Sequence, residues 1–300
     1  MKKKILAWVM VLGFFIPSLA YAVDFDKNKD DIIYGAALGD QERKVVDNAV
    51  GINRQDYNVD TARGEDLEEF LGYYTEDYNM ISSVVINRQP DGSGIRVMIK
   101  TPGNINQITE AQYTNAAITA GLTDAEIYVA SPKPVTGESA LVGVYKSEKL
   151  RGENLDPERT KTAQDELKTV IEVSKENEDK PDFDSKKLDQ AVIEVKERLA
   201  DHKEKNNEIA SNEEVTRYVI DALKNVNMEN VLSNNNINVL VNYFNSYQKT
   251  SAIDSKEVRD NLLKLGKDLG NKAGKFYEDN KDSIDKFAKD NKENFDKIAK

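Results

Sequence analysis

Ser246-Tyr-Gln-Lys249 has the S-x-x-K spacing in which a lysine takes the proton of an acyl-accepting serine. That chemistry also needs S-D-N and K-T-G elements, and neither occurs in the chain, so the match reads as chance. The single histidine, His202, lies in Asp-His-Lys on the polar face of a helical segment and reads as a solvated side chain. A general base would need a nucleophile and an orienting group beside it. Asp24-Phe-Asp-Lys-Asn-Lys-Asp-Asp31 resembles the start of a calcium loop, but its sixth position is Lys29 instead of Gly and its twelfth is Gly35 instead of Glu. It reads as a disordered acidic N-terminus, and Asp182-Phe-Asp184 carries no stronger signal for a metal. Gly92-Ser-Gly94 has no phosphate-loop lysine and no helix after it, and reads as a hairpin turn. Two converging carboxylates would suffice for glycoside hydrolysis, but no spacing singles out a pair among the many acids. Tyr57, Tyr73, Tyr74, Tyr78 and Tyr113 crowd the first half beside Asp, Glu and Asn. Such an aromatic–polar surface suits sugar or peptide binding, with ordinary packing as the simpler reading. No catalytic, cofactor-binding or metal-binding residue is assigned.

Composition removes whole classes of chemistry. The 300 residues contain no Cys and one His, which excludes thiol catalysis, disulfides, iron–sulfur clusters, Cys-ligated zinc and a two-His metalloprotease site. With 42 Lys and Arg against 53 Asp and Glu, the net charge of −11 argues against general nucleic-acid binding.

The first 22 residues read as an export signal: basic Lys2, Lys3 and Lys4, an apolar run from Ile5 to Ile16, and the small residues Ala20 and Ala22 of an A-x-A cleavage site. The apolar run falls short of the ~20 residues of a membrane span. Cleavage after Ala22 would start the mature chain at Val23, outside the cytosol, and losing three lysines takes its charge to −14.

Composition shifts near Lys146 to Pro157, dividing the chain into a leader (1–22), an α/β domain (23–150), a helical domain (151–263) and an amphipathic tail (264–300). The fold class expected is α+β. In the first part Ile32-Ile33-Tyr34 reads as a strand. Asp40 caps a helix with Val45, Val46, Ala49 and Val50 on one face, and a short helix follows at about Glu65 to Leu71. Ile81–Ile86 and Ile95–Lys100 flank turn formers and read as a hairpin. Thr109 and Gln112 make a capping box for a helix ending at Gly121, and Glu126–Ala130 is the next strand, so residues 95–130 read as a βαβ unit. Thr136–Lys146 reads as helix. The second part reads as five amphipathic helices begun by Asp156, Asp184, Ser211, Ser233 and Asp254. In the tail, Lys264-Leu, Lys275-Phe, Lys286-Phe and Lys297-Ile recur every 11 residues, close to three helical turns. Leu265, Leu269, Phe276, Ile284, Phe287, Phe295 and Ile298 then share one stripe, for a solvated or back-packed helix, a weak membrane-surface contact, or a partner helix.

Two stretches carry a resemblance: Tyr34-Gly-Ala-Ala-Leu-Gly-Asp-Gln41, and the run from Ile108-Thr-Glu-Ala-Gln-Tyr through Ile127-Tyr-Val-Ala-Ser-Pro132, continuing into Val135–Lys146. Together they resemble the YpuA-like family of secreted Gram-positive proteins, catalogued as a domain of unknown function. The segments around Val215–Ala222 and Asn236–Tyr243 fit its later part, so the resemblance spans roughly residues 30–270, with Asn115-Ala-Ala…Ala120-Gly121 its most specific element. It implies an exported protein and supplies no catalytic residues. The expected function is a non-enzymatic binding module of the cell envelope, acting on an envelope polymer or protein. The alternatives are a carboxylate-based hydrolase of envelope sugars or peptides, and membrane-surface attachment through residues 264–300.

Overall fold

A computed structural model describes residues 25–269. Among them is one five-stranded mixed sheet of order β2-β1-β3-β5-β4, built from β1 (Asp31–Gly35), β2 (Asn58–Ala62), β3 (Ser83–Arg88), β4 (Ile95–Ile99) and β5 (Ala125–Ala130). The first half adds four helices: α1 (Asp40–Val50), α2 (Gly64–Leu71), α3 (Glu110–Ala120) and α4 (Ser139–Leu150). The second half is helical, with α5 (Pro157–Asn177), α6 (Ser185–Asn206), α7 (Asn212–Asn225), α8 (Asn234–Tyr247) and α9 (Lys256–Asp268). The architecture is α+β. No described helix is long and apolar enough to cross a membrane.

The sheet is covered on both faces. Ile32 and Tyr34 pack with Val46 of α1, while Ile33 packs with Val144 and Tyr145 of α4 and Ala116 of α3. Every residue of β1 is therefore buried, and the strand reads as a continuous apolar run instead of an alternation. Ala163, Leu167 and Ile171 of α5 join that second layer, and Ile118 on α3 faces the helical core. Helix α3 is thus a wall shared by both cores.

The expected hairpin is overturned. β3 and β4 do not pair; β5 lies between them, antiparallel to β3 and parallel to β4, with α3 as the crossover of the β4-α3-β5 unit. Burial explains the order. Val84, Val85, Ile86, Ile127 and Val129 are sealed and belong in the middle, whereas β4 carries exposed Arg96 and suits an edge. Its outward amides are capped from α3: Val97 N donates to Thr114 Oγ1 (3.2 Å) and Ile99 N to Glu110 Oε1 (2.8 Å). The other edge, β2, is too polar (Asn-Val-Asp-Thr-Ala) to read as a strand. Asp60 Oδ1 accepts from Thr61 N and Thr61 O from Lys146 Nζ, both at 2.7 Å, blocking part of that edge too.

Two caps shift by a residue. Gly39, not Asp40, caps α1, with Glu42 Oε2 accepting from Gly39 N, and Val45 is exposed while Val46 is buried. Ser255, not Asp254, caps α9, because Asp254 closes a preceding 3-10 turn, Ser251–Asp254. The caps at Thr109, Asp156, Asp184, Ser211 and Ser233 stand where expected, each side chain accepting from a first-turn amide. The leader through Asp24 and the repeat tail beyond Leu269 lie outside the described residues.

At Gly64 a close backbone approach tolerates only glycine. A Cβ on Gly64, the first residue of α2, would stand 1.6 Å from the carbonyl oxygen of Thr75. Gly64→Ala must push the 72–79 segment away, and is expected to cost ~2–3 kcal/mol in urea unfolding. An unchanged unfolding midpoint would refute the packing.

Candidate functional site

The structure disperses most of the residues whose types could do chemistry. Ser246 and Lys249 are both exposed; Ser246 Oγ donates to Asn242 O within its own helix, and Lys249 meets Ser246 through its backbone amide, which donates to Ser246 O (3.1 Å). Asp184 caps α6 by accepting from Lys186 N (2.9 Å). In the calcium-like segment, described from Phe25 onward, several oxygens already have donors. Asp26 Oδ1 accepts from Asn28 N, and Asp30 Oδ1 from Arg88 N. Asp31 is fully buried: Arg151 donates to it twice (Nε at 2.7 Å, Nη2 at 2.9 Å), Ser147 Oγ at 2.5 Å and Asn58 Nδ2 at 2.9 Å. A carboxylate forked by a guanidinium and bonded by two further donors has no lone pair to spare for a cation. Among the described residues no group of three or more His, Cys, Asp or Glu converges to hold a metal.

His202 is also corrected. It is buried, not solvated, and its Nδ1 lies 3.0 Å from the Tyr218 hydroxyl under the packing of α6 on α7. The aspartate–lysine flanks give it a polar appearance in sequence, but α7 covers the side of α6 on which it sits.

The five tyrosines separate by environment. Tyr113 is buried and donates to Gly137 O at 2.6 Å; Tyr57 is half-buried against the α1 layer. Tyr73, Tyr74 and Tyr78 are 36%, 55% and 70% exposed, within one segment between α2 and β3. That segment is pinned. Asp77 Oδ1 accepts from Gly64 N (2.9 Å) and Oδ2 from Arg63 Nη1 (3.1 Å), while Asn79 Nδ2 donates to Thr75 Oγ1 (2.9 Å). Met80 anchors its end in the core. Lys168 Nζ lies 4.0 Å from the Tyr73 ring centroid, and the Tyr74 hydroxyl donates to Glu76 Oε2 (3.3 Å). Burial, with Glu138 and Asp165 nearby, pushes the Tyr73 phenol up to about 12. The Glu76 charge raises Tyr74 as well.

A surface cavity of about 360 Å³ lies where α9 meets the β3–β4 and α3–β5 loops, lined among others by Asp124, Glu257, Asp260, Lys264 and Lys267. Two of its acids are tied down. Burial works to raise Asp124, but the amides of Gly94 and Gly92 outweigh it and hold the group below its ordinary range. Glu257 is lowered by its own backbone amide and the Ser255 hydroxyl.

The strongest chemistry is sealed inside. Lys196 of α6 is fully buried and donates to Glu166 Oε2 (2.6 Å, α5), Thr119 Oγ1 (2.6 Å) and Asn115 Oδ1 (2.8 Å), the last two on α3. Tyr243 of α8 donates to the same Glu166 oxygen at 2.7 Å, and the Tyr247 ring centroid lies 4.9 Å from the ammonium. Burial pushes the lysine below its ordinary value and Glu166 pulls it back. Next along α6, Asp189 accepts from Thr109 Oγ1 (2.6 Å) and Gln112 Nε2 (2.9 Å), the capping pair of α3, and burial pushes it up to about 7. Glu197 is pushed up to about 7 by burial and then by Glu194 and Asp201, and Asp221 to about 6 by burial against the pull of Arg198. None of these residues is among those singled out by spacing. The available signal was a charge inside an apolar stripe: Lys196 falls among Leu188, Val192, Val195 and Leu199, and Glu166 among Ala163, Leu167 and Val170.

The family model described as "Protein of unknown function (DUF1002)" matches residues 34–265. The chain is 30% identical over 278 residues to the uncharacterized protein YpuA of Bacillus subtilis (strain 168), an alignment covering 90% of this chain and 88% of that protein. No solved structure matches.

Two outcomes test the sealed cluster. Lys196→Met leaves Glu166 buried without its cation and is expected to cost about 3–5 kcal/mol in chemical denaturation. Adding Glu166→Gln, which removes that stranded charge, should recover part of the loss; a double variant worse than the single would refute the pairing. The raised carboxyls set a pH dependence. A carboxyl whose folded pKa is about 7, against an ordinary 3.8, prefers to be protonated in the fold, so its stabilising share is lost as pH rises from about 4 through 7. The protein should melt several degrees higher at pH 5 than at pH 8. Asp189→Asn, which mimics the protonated group, should make that difference smaller, and an unchanged difference would exclude Asp189 as its source.

Proposed function

This chain belongs to the family described as Protein of unknown function (DUF1002), and from that premise we propose that it is an exported, non-enzymatic binding protein of the cell envelope. Export rests on the leader of basic Lys2–Lys4, the apolar run and the Ala20–Ala22 cleavage site. The observation that carries the non-enzymatic reading is the division of the carboxyls. An acid catalyst must hold its proton near neutral pH and reach its substrate. Asp189 and Asp221 have raised values, but they lie buried where α6 packs against its neighbours, and the half-buried Glu197 owes part of its rise to the charges of Glu194 and Asp201 on its own helix. Of the acids lining the α9 cavity, Asp124 is held as a carboxylate by the amides of Gly94 and Gly92, and Glu257 by its own amide and the Ser255 hydroxyl. On that division of the carboxyls, binding is favoured over hydrolysis.

Fractionation of the producing cell tests both halves. The mature protein, starting at Val23, is expected outside the cytosol and should co-sediment saturably with purified envelope sacculi without releasing soluble sugar or peptide. Intact precursor free in the cytosol would overturn the export reading; release of soluble fragments would restore the hydrolase.

A further inference from the structure

We propose that the Tyr73–Tyr78 segment is a stacking platform for an uncharged glycan chain, an inference that rests on the binding role above and names its ligand class. Aromatic rings left in water and grouped on one surface segment mark a place where a ligand can cover them. Here Tyr74 and Tyr78 are more than half exposed, while the backbone that carries them is fixed. Gly64 admits Thr75 O into the space a side chain would fill, Asp77 ties the segment to the start of α2, and Asn79 closes it on Thr75. Rings with two torsions each on a pinned loop lose little freedom when a ligand arrives.

The surroundings select the ligand. Sugar rings offer C–H faces to an aromatic plane and hydroxyls to acceptors, and this segment supplies both, since Glu76 stands beside Tyr74, with Glu138 and Asp165 close enough to Tyr73 to raise it. A protein partner needs a larger contact surface, on the order of 800 Å² a side, with an apolar centre. The other exposed large hydrophobics, Val45, Ile209 and Leu263, belong to α1, the α6–α7 connection and α9, and do not extend this patch. A polyanion would meet Glu65, Glu76 and Asp77 around Tyr74 on a protein of net charge −11. A neutral or N-acetylated glycan meets neither obstacle.

The only tryptophan, Trp8, lies in the leader, so residues 23–300 report through tyrosine emission alone. Titration with chitotetraose, cellotetraose and maltotetraose is expected to change that emission saturably for at least one of them. Tyr74→Ala/Tyr78→Ala should weaken binding about tenfold or more with little change in melting temperature, and Tyr74→Phe/Tyr78→Phe should retain most of it. Equal affinity of the alanine variant and the parent, or no response to any of the three oligosaccharides, would overturn the platform. Sedimentation with sacculi separates the two readings: parent and alanine variant sedimenting equally leaves the binding role standing and removes the platform, whereas a parent that does not sediment removes both.

Discussion

A fully desolvated ammonium must have every N–H met, and in this protein that requirement fixes four helices at once. Lys196 comes from α6, and its acceptors come from α3 and α5, while Tyr243 of α8 donates to the carboxylate that pairs with it. An ion taken out of water forfeits several kcal/mol of hydration, which its partners offset only in tight geometry. Sliding α6 by a turn would strand the charge, so the pair penalises alternative packings far more than it stabilises this one. Apolar contacts alone, among Val, Leu and Ala, would tolerate many registers.

The constraint propagates outward through α3. One side of it meets the sheet; another meets α5, α6 and α9. Because α5 is fixed against α3, Lys168 is delivered to the face of Tyr73. The opposite anchor is α4, whose Lys146 donates to Asp66 of α2 (2.8 Å) and to the edge carbonyl of Thr61. Helix α2 in turn holds Gly64 against Thr75. The exposed tyrosines therefore sit at the end of two chains of contacts that begin in sealed polar interactions, and their rigidity is inherited, not local.

What the sequence disclosed, and what it hid, follows from which forces are local. Caps and stripes are local: Thr109 with Gln112, Asp156 before Pro157, Ser211 with Glu214 and the apolar spacing of α5 to α8 are all written within one helical turn or repeat. The βαβ unit was legible for the same reason. Pairing between distant strands is not local. The turn formers at Pro90–Gly94 are genuine, with Gly92 and Gly94 at positive φ, yet a turn does not dictate that its flanking strands pair; β5, arriving 30 residues later, took the place beside β3. β2 was invisible because an edge strand held by Lys146 and Asp60 needs little apolar character. His202 looked solvated because polarity in sequence and burial in space were decoupled by α7.

The same decoupling separates charge from chemistry. Acid–base catalysis needs a titrating group that water and substrate can reach, and a group is pushed toward neutral pH mainly by losing that reach. Several groups of this chain show that trade. Two of the carboxyls that burial raises dock α6, at the cap of α3 through Asp189 and against α7 through Asp221, and a third, Glu148 of α4, pairs with Arg88 of β3. At the surface, Asp124, Asp156 and Glu257 are lowered by amides or hydroxyls. Ionisable groups so divided hold a shape and present a charged, hydrogen-bond-accepting exterior, and it is on such an exterior that a few fixed aromatic rings can discriminate one neutral surface from another.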